Sequence, residues 1–146
     1  MHRLLVAAAS TVAGVALFAT AASAQPSSSL QLVVLSGGTS QVAGANVAPS
    51  FGSQVTFNLQ TGASQPWVSV TCSQNGQAVY GQYWGFWNGY SPSTVTSTMA
   101  ANGVFTLGPT ALWSSGTASC VATLFSVSAK NYKQTTLATL AFTATA

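Results

Sequence analysis

Alternating apolar and polar positions run through most of this chain and predict β-strands. Val55, Phe57 and Leu59 fall on every second position, and Val68, Val70 and Cys72 do the same. Such a period of two gives each strand one buried and one exposed face. The pattern predicts main strands over residues 30–35, 54–60, 67–73, 77–84, 104–107, 117–128 and 134–145, a looser segment over 41–47 and a weak edge strand over 93–100.

Short turn-forming sequences separate these strands and predict how they connect. Gly37-Gly38, Asn75-Gly76 and Asn102-Gly103 each stand between two predicted strands, as does the segment 131–133. Asn75-Gly76 is typical of a two-residue type I′ hairpin, in which both positions have a positive φ. Turns at intervals of roughly 8–12 residues, without helical periodicity beyond the leader, predict an all-β fold of two antiparallel sheets packed face to face.

The first 24 residues have the organisation of a helical secretory signal peptide. His2 and Arg3 begin it, residues 4–21 are apolar and rich in alanine, and Ala22-Ser23-Ala24 is a small-residue cleavage site. An uncleaved membrane anchor is the alternative, but alanine, serine, threonine and glycine weaken the hydrophobic drive of this run. We expect bacterial export to remove residues 1–24 and to leave residues 25–146 as one secreted, extracellular domain without a membrane partner.

The exported part of the chain has almost no ionisable side chains. From Gln25 onward it contains no Asp, Glu, His or Arg, and its only charged side chains are Lys130 and Lys133. Carboxylates and imidazoles perform most general acid–base catalysis and, with thiolates, bind most metals. We therefore expect no enzymatic activity, no cofactor and no metal site. Two lysines are also too few for a nucleic-acid interface.

Cys72 and Cys120 are the two cysteines of the exported part, and we predict a disulfide bond between them. An even number of cysteines in an exported domain is typical of disulfide pairing. A catalytic thiol is the alternative, but it needs a histidine to activate it, and the exported part has none.

Two segments of the chain resemble a known class of domain. Residues 66–80 read P-W-V-S-V-T-C-S-Q-N-G-Q-A-V-Y, and residues 105–125 read F-T-L-G-P-T-A-L-W-S-S-G-T-A-S-C-V-A-T-L-F. Together they resemble small immunoglobulin-like domains of secreted actinobacterial proteins and of phage tail-associated proteins, over roughly residues 55–142. The resemblance implies an antiparallel β-sandwich of about seven strands, with a binding or structural role and no catalytic residues.

The cysteines depart from the antibody pattern. In antibody domains the disulfide joins strand B to strand F across the two sheets. Here the strand that contains Val55, Phe57 and Leu59 occupies position B and has no cysteine. The resemblance instead places Cys72 on strand C and Cys120 on strand F. Those strands are neighbours in one sheet, so the bridge is expected to be cross-strand.

Six aromatic residues within one short stretch form the candidate ligand-binding set: Tyr80, Tyr83, Trp84, Phe86, Trp87 and Tyr90. On a strand, Tyr80 and Trp84 share one face while Tyr83 points to the other. An outer strand does not bury both faces, so we expect some of these rings at the surface, with Phe86 and Trp87 projecting from a turn. The alternative is that the rings pack in the core, as we expect of Trp67 and Trp113.

Two functions agree with these features. The first is a secreted, non-catalytic binding or adhesion module whose partner is a glycan or a protein surface on a cell. The second is a self-assembling extracellular structural subunit of a fibre or coat. An uncharged surface lacks repulsion between copies, and the predicted strands over residues 30–35 and 137–142 offer apolar edges for self-association.

The missing carboxylates predict a domain that is stable in acid. Acid unfolding is mostly the protonation of carboxylates that are paired in the native state, and this chain has no Asp or Glu. We expect its melting temperature to stay nearly constant from about pH 2 to about pH 8. Thermal denaturation followed by circular dichroism measures this, and a steep fall of Tm between about pH 5 and pH 3 would contradict it.

Overall fold

Eight strands form two packed antiparallel sheets in the computed structural model, which describes residues 27–44, 46–86 and 103–146. Residues 1–26, Ala45 and residues 87–102 lie outside the described residues. They include the predicted leader, the weak strand predicted over 93–100 and Asn102 of the predicted turn. The strands are β1 (Ser29–Ser36), β2 (Thr39–Val42), β3 (Gln54–Gln60), β4 (Pro66–Gln74), β5 (Gln77–Gly85), β6 (Phe105–Thr106), β7 (Ala118–Val127) and β8 (Gln134–Ala144).

The strands form two antiparallel sheets of four strands each, which confirms the predicted all-β sandwich. One sheet has the order β2-β1-β3-β6 and the other β5-β4-β7-β8. Taken in chain order, β1, β3 and β6 correspond to strands A, B and E, while β4, β7 and β8 correspond to C, F and G. β5 extends the second sheet beside strand C, and β2 adds a short edge beside strand A.

Most predicted strands agree closely with the observed ones because their alternation matches the burial of their two faces. In β4, the side chains of Val68, Val70 and Cys72 are fully buried while those between them are not. The looser segment predicted over 41–47 is instead the hairpin strand β2 followed by a connecting segment. Gly37 and Gly38 form the hairpin turn with φ values of 55° and 82°, which glycine adopts at little cost.

Two further turns contain residues with positive φ, and only the first has the sequence that favours this conformation. Asn75 and Gly76 have φ values of 49° and 79°, so the predicted type I′ hairpin between β4 and β5 is confirmed. Between β7 and β8, Tyr132 has a φ of 56°, and the side-chain oxygen of Asn131 accepts a hydrogen bond of 3.1 Å from the Lys133 amide. Such side-chain contacts are the usual reason why Asn favours turns.

The core lies between the two sheets and is rich in aromatic rings. Phe57 of β3 has edge-to-face contacts with Phe86 and Phe105, at centroid distances of 6.5 and 5.7 Å. Trp113, in the connection before β7, is fully buried, as predicted for a packing residue, and lies 5.3 Å from the ring of Phe51. Its indole nitrogen donates a 3.0 Å hydrogen bond to the Gly116 carbonyl. The one polar atom of this buried side chain therefore has a hydrogen-bond partner.

The disulfide joins the two central strands of the second sheet. Cys72 of β4 and Cys120 of β7 are direct partners in the antiparallel register, with a Cα–Cα distance of 4.0 Å and an S–S distance of 2.03 Å. The predicted pairing and its cross-strand placement are therefore confirmed. Both cysteines are buried. Disulfides form and persist in non-reducing compartments, in agreement with an extracellular location.

Removing this disulfide is expected to destabilise the domain strongly. The sequence separation of 48 residues corresponds to a loop-closure contribution of about 4 kcal/mol to the free energy of unfolding. We expect the double variant Cys72→Ala/Cys120→Ala to lose about this amount in guanidinium unfolding. Reduced wild-type protein is the matched comparison and should lose a similar amount, while reductant should leave the double variant unchanged. A loss below about 1 kcal/mol would contradict the role assigned to the bridge.

Candidate functional site

The six candidate aromatic residues do not form one surface cluster. Tyr80 and Phe86 are core residues, with exposures of 7% and 0%. Tyr83 is 66% exposed and Trp84 is 37% exposed. Trp87 and Tyr90 lie outside the described residues. The candidate surface within the described part of this set is therefore reduced to two rings on β5.

The register of β5 against β4 explains the different positions of its rings. Tyr80 is paired with Cys72 and Trp84 with Val68, both inward-facing residues of β4, so Tyr80 and Trp84 share the core side as predicted. Tyr83 is paired with Ser69 and points outward. Trp84 keeps some exposure because β5 is the last strand of its sheet.

Phe86 was expected to project from a turn, and that expectation is wrong. Its backbone N–H donates a 2.9 Å hydrogen bond to the carbonyl of Pro66, at the start of β4. The chain is thereby held against the end of the sheet, and the Phe86 ring stacks on Phe105 at a centroid distance of 6.4 Å. Burial of a large aromatic ring in this space outweighs the turn character of the neighbouring glycine.

An aromatic row crosses the outer face of the second sheet and is the most prominent surface feature of the described residues. It consists of Tyr83 on β5, Trp67 on β4 and Phe125 on β7. Trp67 lies 5.9 Å from Tyr83 with the ring planes at 56°, and 6.4 Å from Phe125 with the planes at 15°. Phe125 is 7% exposed, Trp67 is partly buried and Tyr83 is open to solvent. Trp67 therefore supports the ring of Tyr83, which is available for contact.

Short polar side chains cover much of the rest of this outer face, together with Val121 of β7, which is 45% exposed. The register places Tyr83, Ser69, Thr123 and Thr139 side by side across the four strands. The two lysines of the exported part, Lys130 and Lys133, are exposed in the β7–β8 turn. The face therefore offers aromatic stacking and neutral hydroxyl groups, which act as both hydrogen-bond donors and acceptors.

Sequence reasoning assigned Trp67 to packing and did not include it with Tyr83, although the sequence contained the necessary signal. Trp67 has the opposite parity to Val68, Val70 and Cys72, so it must point away from the face that carries the cysteine. On β7, Phe125 likewise has the opposite parity to Cys120 and Leu124, so it also points away from the face that carries the cysteine. What the sequence did not show is that β5, β4 and β7 are adjacent, which brings the three rings together.

The buried polar side chains of the described residues are hydrogen-bonded within the fold. Within residues 27–44, 46–86 and 103–146, no buried side-chain nitrogen or oxygen lacks a hydrogen-bond partner. Thr56, the buried polar residue of β3, donates a 2.7 Å hydrogen bond to the carbonyl of Gly103. The same residues contain no group of three potential metal ligands and no helix long and apolar enough to cross a membrane.

The chain matches no protein-family model, no curated protein and no solved structure. The candidate site is therefore judged by its own chemistry.

Tyr80 gives the domain a specific dependence on alkaline pH. Burial against Cys72 and Trp113 raises the pKa of the Tyr80 hydroxyl to about 12, compared with about 10 for a tyrosine in an unfolded chain. Between these values the unfolded chain releases the proton while the folded chain retains it. Stability that is fully present below about pH 10 is therefore lost as pH rises towards 12.

Replacing Tyr80 by phenylalanine should reduce this alkaline loss of stability. The variant also removes the 2.6 Å hydrogen bond from the Tyr80 hydroxyl to Gln82, which lowers stability by a constant amount below pH 10. Urea unfolding of Tyr80→Phe and of the control Tyr132→Phe, at an 83% exposed position, measures the slope between about pH 9 and pH 12. An equal effect of the two substitutions would contradict the role of burial.

Proposed function

We propose that this protein is a secreted, non-catalytic binding and adhesion module of bacterial origin that recognises a neutral glycan at a cell surface. In this proposal the ligand lies on the outer face of the β5-β4-β7-β8 sheet and stacks on Tyr83. The protein's role is the one expected of the small immunoglobulin-like domains that its sequence resembles: it attaches one surface to another.

The exposed ring of Tyr83, which packs against Trp67 on a face that also carries hydroxyl groups, is the observation that carries the proposal. A sugar ring has an apolar face of C–H groups that packs on an aromatic ring, and hydroxyl groups around its rim. Tyr83 suits the first, and Ser69, Thr71 and Thr123 suit the second.

The charge of the chain restricts the class of ligand. The exported part has no Arg, no carboxylate and only two lysines, and both lysines are in the β7–β8 turn rather than on a strand of the outer face. An acidic sugar or a phosphorylated ligand would find no cationic side chain on the strands of this face. A neutral glycan is therefore the partner whose chemistry this face complements.

The aromatic row is built on the most constrained part of the fold. Trp67 and Phe125 are direct register partners on β4 and β7, the same two strands that the disulfide joins. Residues on paired central strands lose little additional conformational entropy when a ligand binds. A site of this kind suits repeated, modest contacts with a polymer, since each stacked ring contributes about 1 kcal/mol beyond its buried area.

Replacing Tyr83 tests the proposal. We expect the secreted domain to bind at least one insoluble neutral polysaccharide among cellulose, chitin, mannan and starch in a pull-down assay. The variant Tyr83→Ala should weaken that binding about tenfold, which corresponds to about 1.4 kcal/mol. Isothermal titration with a soluble oligosaccharide of the bound polymer gives the affinity.

The chain offers a matched control at Tyr132. This residue is 83% exposed in the β7–β8 turn, and its φ of 56° suits asparagine. Tyr132→Asn should bind as the wild type does. If Tyr83→Ala binds as well as the wild type, or if Tyr132→Asn is weakened equally, the outer face is not the site. If none of the four polysaccharides is bound, a neutral structural glycan is not the ligand.

A further inference from the structure

β8 presents a long free strand edge at one side of the sandwich. Ten of its 11 residues have partners on β7, with a bulge at Leu137, and the edge is roughly 36 Å long. Among the described residues no strand pairs with its other side; only Thr145, just beyond it, is joined to Ser50 by an isolated bridge. Every second residue of such an edge directs its backbone N–H and C=O outward, where they accept another strand.

This edge has neither charge nor proline, two of the features that normally prevent strand addition, and its one irregularity is a bulge at Leu137. β8 reads Q-T-T-L-A-T-L-A-F-T-A and contains no charged residue and no proline. The edge strands of the other sheet, β2 and β6, have only 4 and 2 residues. On β5, the hydroxyl of Thr110 occupies the edge carbonyl of Val79 at 2.7 Å. β8 is thus the longest edge strand of the described fold, and residues 138–144 form its regular part.

Apolar side chains along β8 are incompletely covered on the core side. Leu140 and Phe142 pack against the core but remain partly exposed, as does Leu30 of β1 on the facing sheet. Between them lies an open groove of about 420 Å³, which residues 43–44 and 47–49 close on the remaining side. A strand added to β8 would therefore gain backbone hydrogen bonds and would cover part of this apolar flank.

We propose that the occupant of this edge is β8 of a second copy of the chain, paired antiparallel. A strand that pairs with this edge must be extended and must have an apolar inward face, and β8 itself has both properties. It is extended, and its inward-facing residues Ala138, Leu140 and Phe142 are apolar while Thr139 and Thr143 face outward. An antiparallel pair of identical strands has two-fold symmetry and closes on itself as a dimer.

The position of the lysines selects the antiparallel direction. Lys130 and Lys133 lie at the same end of β8, just before Gln134. In an antiparallel pair the lysines of the two copies lie at opposite ends, roughly a strand length apart and well beyond the Debye length of about 8 Å. A parallel pair would bring the four lysines together at one end, where like charges repel. The only charged side chains of the exported part therefore favour antiparallel over parallel pairing.

This interface is independent of the proposed glycan site. β8 and β5 are at opposite edges of the same sheet, so a second copy on β8 leaves Tyr83 open. A two-fold axis perpendicular to the joined sheet places the two aromatic rows on the same side. Two weak sites on one face would then bind a polymer more tightly than one, but dimerisation does not require either site to be occupied.

Charge substitutions at Thr139 test the pairing. Thr139 lies near the middle of β8, is exposed and points outward, so the isolated domain accommodates a charged side chain there. In the antiparallel dimer the two copies of residue 139 come close together. We expect Thr139→Lys and Thr139→Glu each to raise the dissociation constant of the dimer at least about tenfold. An equimolar mixture of the two variants should restore the dimer.

Sedimentation velocity of the exported domain over a wide concentration range gives the readout, with circular dichroism to verify that each variant is folded. The control is Thr71→Lys, the same substitution at an exposed position of the same face, on the interior strand β4. It should dimerise as the wild type does. A wild type that is monomeric at every concentration overturns the proposal. So does a dimer that both Thr139 variants leave intact, or one that their mixture fails to restore.

Discussion

The pairing of β4 with β7 is the constraint on which the rest of the structure depends. These two strands are joined by a continuous antiparallel register from Pro66–Ser126 to Ser73–Ser119, and the disulfide lies within it. Because side chains alternate along a strand, this register decides both faces of the sheet at once. It directs Val68, Val70 and Cys72 into the core and Trp67 outward. A shift by one residue would expose the core and bury the aromatic row.

The domain reaches its stability and its surface chemistry with almost no charge. Its interior is filled with aromatic and aliphatic side chains, and its buried polar groups are hydrogen-bonded within the described residues. The covalent bridge supplies a stabilising link that does not depend on pH or ionic strength. On the surface, the same lack of charge leaves stacking, hydroxyl contacts and backbone hydrogen bonds as the available means of recognition. Both proposed interfaces use these means and no ion pairs.

The two edges of the β5-β4-β7-β8 sheet differ in a way that suits two different roles. Near β5, the edge carbonyl of Val79 accepts a hydrogen bond from the Thr110 hydroxyl, and the adjoining outer face presents Tyr83. Near β8, no strand of the described residues pairs with the outer edge, and its core side is partly uncovered. The fold thus separates a candidate ligand face from a candidate assembly edge by the width of one sheet. Binding and self-association, which the sequence offered as alternative functions, are structurally compatible.

The sequence by itself determined the features that depend on neighbouring residues along the chain. The alternation of apolar and polar residues predicted the strands, and Asn75-Gly76 predicted the hairpin. The parity of Tyr83 predicted that it points to the other face of its strand from Tyr80. The disulfide was also predictable, because the chain has only two cysteines and therefore one possible pair. These are local or combinatorial properties, and no knowledge of packing is needed to derive them.

Only the tertiary structure decided which rings are buried and which edges are free. Phe86 follows a glycine and reads as a turn residue, yet the space beside Phe57 and Phe105 buries it completely. The segment 30–35 reads as an apolar edge, but β1 is an interior strand that pairs with both β2 and β3. β8 has a similar pattern and remains an edge. Burial and strand order depend on segments far apart in the chain, so a periodic pattern gives the two faces of a strand but not its neighbours.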